Sequence, residues 1–150
     1  MQIHGSCHCQ NLRFRLHWPD DALPIPARAC GCRFCRKHGG VWTAHPAARL
    51  ELEVSDPEAL IAYAFETRTA DFQVCARCGA VPWVRSEIDG RAYAVVSVNA
   101  FDDVDAALLQ RAEVSFEGEA LSDRLQRRAA RWIPLDPGAA PSAPWPEVER

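Results

Sequence analysis

The chain has 150 residues and a formal net charge of −3, from 17 Lys and Arg against 20 Asp and Glu. This length suits one domain with its own core, and a composition that is 48% hydrophobic and 25% charged excludes wholesale disorder and fibrous structure. The slight acidity argues against a general nucleic-acid binder. No apolar stretch reaches the roughly 18–20 residues of a membrane span. Residues 1–10 contain no apolar signal-peptide core, so we expect a cytoplasmic protein.

Alternating apolar and polar residues predict a mainly β fold. Residues 12–17 and 50–54 alternate with a period of two, as half-buried strands do. Residues 81–84 and 91–98 flank Asp89-Gly90, a strong hairpin signal. Further expected elements are short strands at 63–65, 72–74 and 114–116, a helical turn after Asp56, and short helices at 102–111 and 122–131.

Seven cysteines are the most informative feature of the sequence. They occur as Cys-x-Cys, then Cys-x-Cys-x-x-Cys, then Cys-x-x-Cys, at positions 7 and 9, 30, 32 and 35, and 75 and 78. An odd number excludes complete internal disulfide pairing, and clustered thiols in a reducing compartment more often bind metal. The spacing therefore indicates a metal-binding protein.

The outer cysteine pairs predict a closed structural zinc site. A Cys-x-x-Cys turn supplies two sulfurs to one tetrahedral zinc at about 2.3 Å, and a closed site needs four ligands. Each outer pair lies at the end of a predicted strand, so Cys7 and Cys9 can join Cys75 and Cys78.

The remaining three, Cys30, Cys32 and Cys35, predict an open zinc site. Three protein ligands and one free position are typical of a catalytic zinc. Two alternatives stay open: a histidine such as His38 or His8 completes a closed site, or the three are ordinary buried thiols.

The sequence resembles the glutathione-dependent formaldehyde-activating enzymes, a family with the Mss4-like fold and a relative of the centromere-protein-V type. The resemblance rests on residues 5–9 (GSCHC), 30–37 (CGCRFCRK) and 72–79 (FQVCARCG), and spans roughly residues 1–135. It implies several small coiled antiparallel sheets with few short helices. It also implies a structural zinc on the outer pairs and a labile, catalytic zinc on the triplet. Gly31 stands where the family usually has histidine, and Gln10 where it commonly has glycine.

The resemblance implies a zinc-dependent carbon–sulfur lyase or synthase that joins glutathione to formaldehyde. Cys30, Cys32 and Cys35 are then the catalytic ligands, and the partners are a small-molecule thiol and an aldehyde. Four basic residues within or just after the triplet are candidates for binding the carboxylates of glutathione: Arg33, Arg36, Lys37 and His38. The alternative is that these are solvated charges that balance a negative zinc–thiolate centre.

Two other functions are compatible with the same cysteines. A non-catalytic zinc scaffold would bind a protein or, despite the acidic composition, a nucleic acid. Thiol redox catalysis, such as methionine sulfoxide reduction, needs a nucleophilic cysteine outside the zinc site, and no cysteine follows Cys78. The expected organisation is one zinc-binding β domain at 1–135 and a Pro-rich tail at 136–150, with no indication of the oligomeric state.

Overall fold

The computed structural model of the protein describes residues 1–138, which form a mainly β fold of two sheets with two α-helices. The strands are β1 (Gln2–Ser6), β2 (Leu12–His17), β3 (Ile25–Cys30), β4 (Val41–Thr43), β5 (Arg49–Val54), β6 (Leu60–Tyr63), β7 (Asp71–Cys75), β8 (Trp83–Ile88), β9 (Arg91–Ser97), β10 (Leu109–Val114) and β11 (Ile133–Pro134). The helices are α1 (Arg33–His38) and α2 (Leu121–Arg131). Single 3-10 turns cover Pro57–Ala59, Val98–Ala100 and Ala106–Leu108. The predicted mainly β class is confirmed.

The smaller sheet is antiparallel and has the order β1-β2-β5. In β2 the apolar residues Leu12, Phe14 and Leu16 are buried while the alternate residues face outward, as the period-2 pattern predicts. The ring of Phe14 lies against Gly5 on β1, where a Cβ would come within 2.1 Å of it. Only a glycine fits that position, so the first hairpin packs closely on the core.

The larger sheet has the order β10-β3-β4-β9-β8-β7-β6, with β11 paired to β9. All its pairs are antiparallel except β10 with β3, which is parallel. The predicted hairpin joins β8 to β9 through Asp89 and Gly90, both with positive φ.

The prediction of a helix over residues 102–111 is wrong. Asp105 caps a single 3-10 turn at Ala106–Leu108, and the chain then enters β10 at the edge of the larger sheet. The predicted strand at 114–116 overlaps this strand only at Val114. The backbone pairing of β10 with β3, far away in sequence, prevails over the local helical tendency.

The prediction of a second helix near residues 122–131 is confirmed by α2. The Pro-rich tail predicted at 136–150 lies, from residue 139 onward, outside the described residues. Within residues 1–138, no helix is both long and apolar enough to cross a membrane.

Candidate metal centres and the adjoining cavity

Four cysteines from the two sheets meet in one cluster. Cys7 and Cys9 lie in the turn after β1, Cys75 is the last residue of β7, and Cys78 lies in the turn that follows. Both turns are closed by backbone hydrogen bonds: Cys7 N–H donates to Leu12 O, and Cys75 N–H donates to Ala80 O, each at 2.9 Å. The cluster therefore links the smaller sheet to the larger one.

The geometry of this four-cysteine cluster fits a zinc ion. The four Sγ atoms lie within 4.8 Å of one another, with Cys7–Cys9 at 3.7 Å and Cys9–Cys75 at 3.5 Å. Tetrahedral ligands at about 2.3 Å from zinc are separated by about 3.8 Å. Cys7 and Cys75 are buried, Cys78 is partly buried and Cys9 is exposed. Four sulfurs fill every position around a tetrahedral zinc, as in structural sites.

One thiol of this cluster, that of Cys78, has a lowered pKa. Burial opposes ionisation of Cys78, but backbone N–H groups of Ala80 and Cys9 and the thiols of Cys75 and Cys7 outweigh it and lower its pKa to about 6. Burial raises the pKa of Cys7 to about 12. Metal binding to such a cluster releases the thiol protons that remain, because cysteine ligands bind as thiolates.

The other three cysteines form a second cluster at the start of α1. Cys30 ends β3, Cys32 is the N-cap of α1, and Cys35 lies in its first turn, so that the three Sγ atoms lie within 4.8 Å of one another. Neither His38 nor His8 belongs to this cluster, although both were candidates to complete it. The donor set, three sulfurs with no fourth side chain from residues 1–138, fits a zinc ion with one free position.

Hydrogen bonds fix the sulfurs of this three-cysteine cluster. Cys35 N–H donates to Cys32 Sγ, and the indole N–H of Trp42 donates to Cys35 Sγ, each at 3.3 Å. The side chain of Cys35 hydrogen bonds to Cys30 and, against the effect of burial, lowers the pKa of Cys30 to about 5; the charge of Arg124 adds to this effect. Donors of this kind orient metal ligands and tune their basicity.

The three-cysteine cluster opens on a cavity of about 670 Å³, which is within the range of small-molecule sites. All three cysteines line it, whereas none of the four cysteines of the other cluster does. Aromatic side chains form part of the wall, including Trp42, Phe65 and Phe72. A ligand in the cavity can therefore contact the three-cysteine cluster but not the four-cysteine cluster.

The four basic candidates divide into two groups. Arg33 and Arg36 line the cavity, whereas Lys37 and His38 do not. His38 packs against the ring of Phe34 at 4.5 Å between centroids, and burial lowers its pKa, which disfavours its cationic form.

Sequence reasoning missed the basic side chains that α2 brings to this cavity. Its four arginines, Arg124, Arg127, Arg128 and Arg131, all line the wall. Their spacing of i, i+3, i+4 and i+7 was the available signal, because it places them on one helix face. Arg28 on β3 also lines the cavity, so charges distant in sequence are concentrated there.

The structure therefore defines a mainly β domain with two cysteine clusters that could each hold a metal ion, one of four sulfurs and one of three sulfurs on the wall of a cavity. The family model described as "Glutathione-dependent formaldehyde-activating enzyme" matches residues 2–117. The chain belongs to the glutathione-dependent formaldehyde-activating enzyme family.

Two similar proteins extend the comparison. A Halomonas elongata protein, provisionally named as an enzyme of the same family, is 33% identical over 91 residues, which cover 56% of this chain and 56% of that protein. The chain thus spans little more than half the length of this relative. A crystal structure of a Rhodobacter sphaeroides protein is similar with a TM-score of 0.53 and 28% identity, covering 69% of this chain and 92% of that one.

Proposed function

We propose that the protein is a zinc-dependent carbon–sulfur lyase or synthase that acts on thiol–aldehyde adducts, in the manner of an S-(hydroxymethyl)glutathione synthase. The observation that carries the proposal is the position of Cys30, Cys32 and Cys35 on the wall of the cavity. In this proposal these cysteines form the catalytic centre, and the four-cysteine cluster holds a structural zinc. Family membership supports glutathione and formaldehyde as the substrates.

The proposed reaction is an addition. The thiol sulfur forms a bond with the aldehyde carbon, the carbonyl π bond breaks, and the proton lost by the thiol is recovered by the new alkoxide oxygen. A zinc ion bound by the three cysteines would supply a free Lewis-acidic coordination position that holds a substrate thiol as its thiolate. The reverse reaction cleaves the carbon–sulfur bond and releases the aldehyde.

The residues of the cavity position the substrate and exclude water. Arg33 and Arg36 offer guanidinium groups to the two carboxylates of glutathione, and the Glu66 carboxylate offers an acceptor for its ammonium group. The aromatic wall displaces water, which strengthens these interactions and holds the sulfur near a small aldehyde. Formaldehyde has no side groups, so recognition depends on the thiol.

The cavity favours this proposal over a non-catalytic scaffold of the same fold, since a scaffold needs no open position beside the three cysteines. Thiol redox catalysis is disfavoured because all seven cysteines of the sequence belong to one cluster or the other. No cysteine is left as an independent nucleophile.

Replacement of Cys32 by serine tests the proposal. We expect Cys32→Ser to lower the rate of adduct formation, measured by exchange NMR with glutathione and formaldehyde, by at least about a hundredfold, since metal-site changes of lesser severity cost tenfold to a hundredfold. Circular dichroism should remain that of the parent. The matched change Cys9→Ser, in the structural cluster, should instead lower the unfolding temperature. Full turnover in Cys32→Ser would show the proposal to be wrong.

A further inference from the structure

The face of α2 that carries its four arginines is turned toward the protein and lines the cavity. Helix α2 covers residues 121–131, beyond the residues 2–117 that match the family model. Of its 11 residues, the one that is fully buried is Arg128. A basic helix face normally points to solvent, because the charges are then hydrated. Its inward direction calls for a physical reason.

Arg128 is a buried cation without a carboxylate partner in the part of the chain that the structure describes. Its side chain is 7% exposed, and Nη1 donates to the carbonyl oxygen and the hydroxyl of Thr69, the latter at 2.8 Å. Its buried Nε has no hydrogen-bond partner among the described residues. A buried guanidinium with only neutral acceptors is unfavourable. Arg128 is also one of the residues that line the cavity.

Among residues 1–138, one carboxylate pairs with two of the other three arginines of α2. Glu119 accepts two hydrogen bonds from Arg127, each at 2.9 Å, and lies 3.5 Å from Arg124, so one carboxylate serves two arginines. Arg131 is exposed and forms no ion pair within residues 1–138. Across the whole cavity, seven arginines stand against two glutamates.

Two of these arginines, Arg127 and Arg128, also stack on aromatic rings of the protein. The guanidinium of Arg127 lies over the ring of Phe116 at 3.6 Å, and that of Arg128 lies over Trp132 at 5.0 Å. Burial, together with the charges of Arg124 and Arg127, lowers the pKa of Arg128 to about 10, so the cluster is strained electrostatically. An anion in the cavity would relieve this repulsion at little entropic cost.

We infer that the arginine face of α2 is an anion-binding subsite for a dianionic group, a phosphate or two neighbouring carboxylates, at the end of a ligand whose other end reaches the three cysteines. Arg128 and Arg131 are the two arginines of α2 that have no carboxylate partner within residues 1–138, and paired guanidinium groups suit a dianion. This inference rests on the proposed function and extends it, because Arg33 and Arg36 were assigned the carboxylates of glutathione and the arginines of α2 line the same cavity.

Calorimetric titration of the zinc-loaded protein at constant ionic strength, with inorganic phosphate and separately with succinate, tests the subsite. At least one anion should bind, and Arg131→Gln should weaken its binding by about tenfold, the range of one charge-assisted hydrogen bond. The control Arg91→Gln removes the same charge from the exposed hairpin of β8 and β9 and should leave binding unchanged. Arg128→Gln should weaken binding further, and if it fails to fold, Arg131→Gln alone decides.

Comparing phosphate with succinate distinguishes a phosphorylated ligand from a dicarboxylate. Comparing variants distinguishes anion binding at α2 from binding at the three-cysteine cluster. Tighter binding of phosphate identifies a phosphorylated ligand, and tighter binding of succinate identifies a dicarboxylate. Cys32→Ser should retain anion binding, because the anion binds to α2 and not at the zinc position. Neither probe contains a thiol, so failure of the lyase reaction would leave this result intact. Absence of binding by both anions, or equal weakening by Arg91→Gln and Arg131→Gln, would overturn the inference.

Discussion

Because Gly40 has no side chain, it leaves room for the hydrogen bond between Trp42 and Cys35. A Cβ at this position would lie 2.9 Å from Trp42 Nε1 and 3.0 Å from the Sγ of Cys35, the two atoms joined by the indole hydrogen bond. A side chain must therefore push apart a metal ligand and its hydrogen-bond donor. This residue connects backbone packing directly to the chemistry of the cluster.

We expect Gly40→Ala to weaken zinc binding at the three-cysteine cluster by about tenfold to a hundredfold, as other disturbances around metal ligands do. Competition with a chelator, followed by native mass spectrometry, measures the effect. Gly31→Ala is the matched control, because its Cβ would meet only Val114 O at 3.4 Å. Equal zinc affinity in the two variants would contradict the role given to Gly40.

Individual residues also show what spacing can predict. The meeting of Cys7 and Cys9 with Cys75 and Cys78 followed from ligand counting, because a closed zinc site needs four sulfurs. Gln10 has a φ of 64°, a region that glycine adopts most easily, so the structure shows the backbone conformation that a glycine would favour here. The buried Arg128 was not predictable, since its environment comes from Thr69 and Ser86, distant in sequence.

At the scale of elements, the strands with one apolar face were predictable and the edge strand was not. Residues 12–17 bury alternate side chains, so their pattern shows the sheet directly. In β10 the residues are at most half-buried, and the strand pairs in parallel with β3 only through its backbone. A strand of this kind has no alternation to detect. The orientation of α2 could not be predicted from its sequence either, because the helix face that points toward the protein is the charged one.

Glu119 anchors α2 through Arg127 and Arg124, and this contribution depends on pH. The hydrogen bonds from Arg127, against burial, and then the charges of Arg127, Arg124 and Arg128 hold the pKa of Glu119 below its ordinary value of 4.5. A lowered folded-state pKa means that the stabilisation is complete above that ordinary value and is lost as the pH falls through the folded-state pKa.

We expect Glu119→Gln to lower the free energy of unfolding at pH 7 by about 1 kcal/mol. This value is at the upper end for exposed ion pairs, because the Arg127–Glu119 pair is bidentate and partly buried. Urea denaturation from pH 7 to pH 3 should show the difference from the parent disappearing below pH 4.5. Glu53→Gln, which breaks the exposed ion pair with Arg13, should have a smaller effect. A Glu119→Gln deficit that persists undiminished at pH 3 would exclude an ionic origin.

At the scale of the whole molecule, the two cysteine clusters occupy different positions in the connectivity. The four-cysteine cluster joins the turn after β1 to the turn after β7, and so links the two sheets. The three-cysteine cluster lies at the junction of β3 with α1, within a single stretch of six residues. Metal bound at the four-cysteine cluster would close a long-range link, whereas metal bound at the three-cysteine cluster would close a local one.

Native mass spectrometry should therefore find two zinc ions per chain, one in each cluster, that a chelator removes in two stages. The first loss, from the cluster on the cavity, should leave the circular dichroism unchanged, because β3 and α1 keep their backbone hydrogen bonds. The second loss should coincide with unfolding, because the sheets then lose the sulfur–metal link that holds them together. Cys32→Ser should bind one zinc and show only the second stage. Removal of both ions without unfolding would mean that neither cluster stabilises the fold, and that the apolar core holds the two sheets together without metal.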